Sequence, residues 1–506
     1  MRILGSRKPG FTSVALTLPV LATALVALPA PASAAAAPRP ETAVRWEKCP
    51  GSGLDPRQEC ATVSVPLDHA KPRGSRISLA VSRIRSDNPA ARRGTLLLIP
   101  GGPGNSGINE PSRRGKALPQ SVRDAYDIVS FDPRGVGRST PVGCGLAHED
   151  LALVKVRPWP DADGGIEGNT ATARRLADAC AAQGGEVLRS ISTRNEARDI
   201  DRIRQALGER KLSAWGVSYG TYAGAVYAQM FPQRTDRWVL DSNDDPNPER
   251  VARGWLANYQ IGVEDAFPDF AAWAADPGNP GRLAETPAEV RPMFLALAAR
   301  LDRAPIPWPG ANPEELNGNV LRQSLLDSLY SKARFPALGR LITAARDGSP
   351  LPAASTPPDE AMQNTVAVSG ATLCNDADAW PDANPAVYAK DVAKSRKRYP
   401  LTGGMPVNIA LCAFWHDEPR ERPVRVTPDG GPSNILLIQN LRDPATPLAG
   451  ALKMRAAFGD RARMVTVDAV GHGAYRADGN ACGDDAVTGF LLTGERPSRD
   501  TLCATR

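Results

Sequence analysis

Histidine is scarce in this chain, with only 4 among 506 residues, so chemistry that needs an imidazole has few places to sit. None of the 8 cysteines forms a C-x-x-C pair, which argues against a zinc site. Neither sign of charge dominates: 61 Lys and Arg face 55 Asp and Glu, a net of +6. So mild a balance predicts no nucleic-acid partner. Internal repeats are missing too. What is present is an ordinary globular composition, 42% hydrophobic and 23% charged. The chain is longer than the roughly 250 to 300 residues that one core usually serves, so one large domain with a substantial insertion, or two domains, is expected.

The amino terminus reads apart from the rest. Arg2, Arg7 and Lys8 precede an apolar run over 14–30 that ends in Ala32, Ser33 and Ala34, the pattern of a secretory signal peptide cleaved after Ala34. Pro19 and Pro29 interrupt the run and argue against a permanent membrane helix. No cysteine follows the cleavage site to carry a lipid, and no other stretch is apolar and long enough to span a membrane. Cleavage takes the net charge from +6 to +3. All 8 cysteines lie in the exported, extracellular remainder, where an even count favours disulfides. They fall as sequential couples, and the expected pairs are Cys49–Cys60, Cys144–Cys180, Cys374–Cys412 and Cys482–Cys503.

After an Ala/Pro leader over 35–45, strands are expected at 62–65, 77–84 and 95–99. The third is continuously apolar, as a strand covered on both faces is, and runs into PGGPGNSG at 100–107. A further strand at 126–131 ends in DPRGVGRS. Ala197, Ile200, Ile203 and Leu207 fall at helical spacing, followed by a strand at 211–215, a helix at 221–230 and a strand at 238–240. Strands alternating with helices imply a mostly parallel α/β sheet. Over 245–427 the alternation gives way to Trp-, Pro- and Ala-rich text, expected to be a large, mainly helical lid inserted before the Asp443 strand, between core segments 46–244 and 428–506. The sheet pattern resumes with a strand at 434–439, a helix at 448–458, a strand at 463–467 and a closing helix near 485–492.

Within AWGVSYGTYAG (214–224), Gly216 and Gly220 flank Ser218 at the corner of a strand and a helix, where Cβ atoms would collide. That is the G-x-S-x-G elbow, which strains the serine and lifts its hydroxyl above the sheet. A small residue at a tight bend is the plain alternative in a chain with 45 glycines, so partners decide. A serine hydroxyl needs a base within hydrogen-bond reach and a carboxylate to fix that base's tautomer. His69, His148 and His416 read as surface or satisfied structural histidines. His472, in VTVDAVGHGAY, directly follows the last apolar strand, at the edge where such sheets bind ligands. Asp443, in LLIQNLRDPATP, follows the strand before; on its own it reads as a turn or N-cap residue. The order Ser218, Asp443, His472 is that of the α/β-hydrolases, and these three are the expected catalytic residues. The oxyanion formed on attack needs preorganised donors, each worth about 3 to 4 kcal/mol. The amides of Tyr219 and, from the glycine loop, Gly102 are the candidates, with a tight glycine turn as the plain reading of that loop. No metal or organic cofactor is called for.

With VPLDHAKP near the start, the motifs PGGPGNSG, FDPRGVGRS, GVSYGTYAG, RDPATPLAGA and GHG make the chain resemble the secreted tripeptidyl aminopeptidases of the α/β-hydrolase superfamily, relatives of prolyl iminopeptidases. The likeness runs from about Trp46 to about Cys503. It implies a serine exopeptidase that releases short peptides, commonly three residues, from free N-termini, with Ser218 as nucleophile, Asp443 as orienting acid and His472 as general base. Two positions depart from the pattern: Asn105 stands where relatives usually carry glycine, and His69 where tyrosine is more usual. An exopeptidase must also hold the substrate's α-ammonium. Asp376 in CNDADAW and Glu264 in GVEDAF are the candidate carboxylates, each equally readable as a solvated lid residue. The rival readings are a secreted carboxylesterase with the same three residues and a binding protein on an inactive hydrolase scaffold. Epoxide hydrolase or dehalogenase chemistry would need an aspartate in place of Ser218.

Overall fold

Strands that are apolar at every position need cover on both faces, and the sheet of this protein supplies it. The computed structural model describes residue 15 and residues 44–504 apart from 252, 379–382, 417–420 and 478–479. The expected signal segment and nearly all of the leader fall outside the described residues. Ala43–Arg506 packs as one compact unit.

The chain first lays down β1 (Glu47–Lys48), β2 (Glu59–Pro66), β3 (Arg76–Ile84), β4 (Gly94–Ile99), β5 (Tyr126–Phe131), β6 (Leu212–Ser218) and β7 (Thr235–Asn243). A separate two-residue ladder joins β8 (Ile306–Pro307) to β9 (Glu315–Leu316). The chain then returns to the main sheet with β10 (Ile435–Arg442), β11 (Ala462–Val470) and β12 (Thr501–Cys503). The ten-stranded order is β1-β2-β3-β5-β4-β6-β7-β10-β11-β12. The pairings β1–β2, β2–β3 and β3–β5 are antiparallel. All others are parallel, so the mostly parallel α/β sheet of an α/β-hydrolase is what the chain forms.

Alternate residues point to opposite faces. Leu97, Ile99, Phe131 and Leu240 lie under the helices Thr193–Ala206 and Tyr219–Met230. Leu96, Leu98, Val217 and Ile438 meet Val122 of the helix Gln120–Ala125 and Phe490 of the helix Ala481–Thr493. The observed β6 and β7 are longer than expected, because their carboxyl ends carry Ser218, Asp241, Ser242 and Asn243 instead of apolar residues. The helix Glu167–Gln183, Ala-rich and charged, had no expected counterpart.

Between β7 and β10 the chain runs through the helices Arg253–Ala275, Pro287–Arg303, Gly318–Ser328, Phe335–Asp347, Asp359–Asn375 and Pro385–Arg398. The first four share a core of their own around Phe270, Phe294, Leu325 and Phe335. All four expected disulfides form, spanning 11, 36, 38 and 21 residues. Loops of those lengths stabilise the fold by about 3 to 4 kcal/mol each in the chain-entropy picture. Among the described residues no helix is long and apolar enough to cross a membrane.

Candidate active site

Ser218 ends β6 and Tyr219 begins the next helix, with no loop between them. So abrupt a turn holds Ser218 at φ 60° and ψ −131°, a strained region worth roughly 1 to 3 kcal/mol. The flanking glycines are a matter of space. A Cβ on Gly216 would stand 2.3 Å from the Gly220 carbonyl oxygen, and one on Gly220 would stand 2.5 Å from that of Ile99 and 2.8 Å from that of Pro100. The elbow is therefore pressed against the end of β4, from which the glycine loop departs. The Tyr219 N–H is among the first four helix amides, which lack an intrahelical acceptor. Its side chain is fixed from below, donating to Glu196 Oε2 at 2.7 Å and meeting the Thr193 hydroxyl at 2.7 Å. Burial pushes the Glu196 carboxyl up to about 8.

Asp443 lies one residue past β10 and His472 two past β11. Nδ1 of His472 is 3.0 Å from both oxygens of the Asp443 carboxylate. Asp443 is wholly buried and cannot swing away: its Oδ1 accepts the amides of Ala445 (2.9 Å) and Thr446 (2.8 Å), and its Oδ2 accepts the Thr446 hydroxyl (3.0 Å). Engaging Nδ1 in this way leaves Nε2 for proton transfer. The segment between β7 and β10 touches both residues. A Cβ on Gly262 would stand 2.6 Å from the Asp443 carbonyl oxygen. The Tyr330 carbonyl accepts the His472 N–H at 2.9 Å, and the two rings meet edge-on at 4.9 Å. Burial alone would lower the His472 pKa, but the carboxylates of Asp443, Asp244 and Asp241 outweigh it and hold the imidazole above its ordinary value. Asp244 is itself pushed up to about 7 by burial.

Sequence reasoning missed the residues that hold the His472 loop. Asp241, near the end of β7, accepts the amides of Ala474 (2.8 Å) and Tyr475 (3.1 Å) and the Trp215 indole (3.2 Å). Ser242 accepts the Gly473 amide at 2.7 Å. From β10, the Asn440 amide donates to the carbonyls of Gly471 and Gly473 at 2.9 and 3.0 Å. The available signal was a run of polar residues, DSN, closing an apolar strand one place over from the elbow strand.

Ser218, His472, Gly101, Gly102 and Asn105 line one cavity of about 750 Å³. Gly102 sits at φ +115°, where a Cβ would stand 2.8 Å from the Gly104 amide nitrogen and 2.9 Å from that of Asn105. The candidate ammonium ligands are not brought there. Asp376 is buried and accepts the Thr193 amide at 2.8 Å, at the start of the helix Thr193–Ala206. Glu264 pairs with Arg291. Neither lines the cavity, because packing turns one to a helix end and the other to an arginine. The remaining histidines keep their structural reading: His69 is buried against Asp199 at 2.9 Å, while His148 and His416 make exposed pairs with Asp359 and Asp178.

The chemistry open to a half-buried, strained serine that shares a cavity with an imidazole–carboxylate pair is acyl transfer, and the sheet that presents them defines the class: the protein is a serine hydrolase of the α/β-hydrolase fold. Residues 399–503 match the family described as TAP-like protein. The chain is 33% identical over 491 residues to the tripeptidyl aminopeptidase of Streptomyces lividans, covering 94% of this chain and 89% of that relative. It is 29% identical over 481 residues to the serine protease Hip1 of Mycobacterium tuberculosis strain H37Rv (90% and 88% covered). It is 30% identical over 468 residues to carboxylesterase B of M. tuberculosis strain CDC 1551 (88% and 86% covered). The chain belongs to the tripeptidyl aminopeptidase family.

Proposed function

We propose that this protein is a secreted exopeptidase that releases tripeptides from free N-termini through an acyl-enzyme on Ser218. The observation that carries the reading is the His472 Nδ1 contact with Asp443 at 3.0 Å, on the ring that shares a cavity with Ser218. His472 Nε2 takes the Ser218 proton as Oγ attacks the carbonyl of the third residue. The amides of Gly102 and Tyr219 receive the oxyanion. His472 then protonates the leaving amine, and water activated by the same base frees the tripeptide. Segment 245–427 acts as a lid over the core segments 46–244 and 428–506, and limits how much peptide fits on the amino side. Secretion is supported by the signal-like amino terminus and by four disulfides, which persist in oxidising compartments.

The test is hydrolysis of Ala-, Ala-Ala- and Ala-Ala-Ala-p-nitroanilide, with and without an N-acetyl cap, by wild type and Ser218→Ala. Release from the uncapped tripeptide alone, lost in the variant, is the expected result. The relative named carboxylesterase B favours ester cleavage as the second reading; equal rates on capped and uncapped substrates, or cleavage of simple esters only, would select it.

A further inference from the structure

The cavity that holds Ser218 is unevenly charged. Arg113, Arg114, Lys155, Arg157, Arg334 and Arg476 line it, against two acidic residues among those described, Asp241 and Asp327. Asp241 is sealed in by its three N–H donors. The counterions behind the wall leave a surplus of cations: Glu110 serves both Arg113 and Arg114, Asp150 meets Lys155 at 3.8 Å, Asp484 meets Arg476 at 3.0 Å, and Asp327 meets Arg157 at 3.2 Å while its backbone carbonyl takes an N–H of Arg334 at 2.9 Å.

Arg114, Arg157 and Arg476 stand next to the residues packed around His472. The Arg157 guanidinium lies 5.2 Å over the Tyr259 ring, and the Tyr259 hydroxyl is 3.0 Å from that of Tyr330, the residue packed on His472. Arg114 lies 5.6 Å over Trp215, whose ring meets Tyr475 of the His472 loop at 5.0 Å. Arg476 belongs to that loop and is braced on the Ala117 carbonyl at 3.0 Å. Another part of the wall is apolar, with Met362, Val366, Leu373 and Leu411. It abuts the glycine loop through the Ser369 hydroxyl, which donates to the Pro103 carbonyl at 2.6 Å. Direction follows from the chemistry: the leaving amine must be reached by the imidazole that protonates it, so the departing peptide occupies the His472 side and the acyl part the apolar side.

We propose that the cationic, His472-side wall is a subsite for a carboxylate on the leaving peptide, with Arg334 as its principal donor and Arg476, shared with Asp484, as a second, both exposed at the cavity. The proposal rests on the peptidase reading. A carboxylate can arrive there from two sources, the C-terminus of a short peptide or an acidic side chain just beyond the cleaved bond.

The experiment compares kcat/KM for two matched pairs, with the tripeptide product identified by mass spectrometry. Ala-Ala-Ala-Ala as free acid is set against its C-terminal amide, and Ala-Ala-Ala-Asp-Ala-amide against Ala-Ala-Ala-Asn-Ala-amide. A charge-assisted contact of this kind supports a preference of about tenfold for the carboxylate member. The pair that shows it identifies the source, and in Arg334→Gln/Arg476→Gln the preference falls below about threefold. Ratios near one in both wild-type pairs, with tripeptide released normally, overturn the subsite and leave the peptidase reading standing. A preference undiminished in a folded double variant also overturns it. Absence of tripeptide from all four substrates overturns both readings. Because each ratio is taken within one enzyme, the wild-type values decide the question even where the double variant fails to fold.

Discussion

Replacing Asp241 with asparagine is expected to lower kcat by about a hundredfold with little change in KM. Two oxygens of the aspartate serve three N–H donors and a hydroxyl: Oδ1 takes the Ala474 amide and, at 3.4 Å, the Ser242 hydroxyl, and Oδ2 takes the Tyr475 amide and the Trp215 indole. Asparagine keeps one oxygen, so in its better orientation the new NH2 faces the Ala474 amide, donor against donor. A buried N–H left without an acceptor costs about 1 to 3 kcal/mol. The strand end is fixed in the sheet, so the loop that follows His472 is what yields. Ser242 and Asn440 still grip Gly471 and Gly473, which confines the movement to something on the order of 1 Å. A displacement of that size at a proton-transferring group costs about 10²-fold. The assay is steady-state hydrolysis of Ala-Ala-Ala-p-nitroanilide across pH, with thermal unfolding in parallel. Asp241 is also one of the carboxylates that raise the His472 pKa, so the acid limb of the profile should move to lower pH. Wild-type kcat together with an unmoved acid limb, even with a lowered melting temperature, would refute the positioning role and leave Asp241 as a structural residue.

Other expectations follow from the same geometry. Activity requires neutral His472, whose pKa stands above 6.5 because neighbouring carboxylates outweigh burial. The rate should therefore rise with pH through a midpoint above 6.5, and Asp244→Asn should move that midpoint down; a midpoint below 6.5 in wild type contradicts the account. Gly220→Ala drives a Cβ against the backbone oxygens of Ile99 and Pro100 at 2.5 and 2.8 Å. It should destabilise the fold by about 1 to 3 kcal/mol and abolish most activity. By contrast Gly489→Ala, in open space on the helix Ala481–Thr493, should keep activity and gain up to about 1 kcal/mol; denaturant titrations of the pair check both. Removing the Cys374–Cys412 bridge, which closes 38 residues, should cost about 4 kcal/mol. It should also raise KM, since Cys412 lines the cavity; unchanged denaturation would show the wall is held by packing alone.

The elbow was legible in the sequence because its cause is local: two glycines spaced around Ser218 meet carbonyls of the next turn and of the neighbouring strand. The strand leading to Asp443 was legible because Ile435–Ile438 is apolar throughout, as a strand covered on both faces is, and the one leading to His472 because Met464, Val465 and Val467 are apolar; the residues after such runs land at the sheet's carboxyl edge. The disulfides could be read as sequential couples because each closes within a single segment. Asp241 was hidden for the opposite reason. The amides it holds lie 233 and 234 residues further along the chain, and no local pattern records a partner so distant. Asp376 and Glu264 show the converse error: sequence displays a carboxylate's charge but not its direction, and packing gave one to the Thr193 amide and the other to Arg291. The chain alone thus determined the hydrolase sheet and the short-range chemistry of its turns. Which charges face the cavity, and hence its cationic wall, was decided only when the stretches at 113–114, 155–157, 334 and 476 were brought to one cavity.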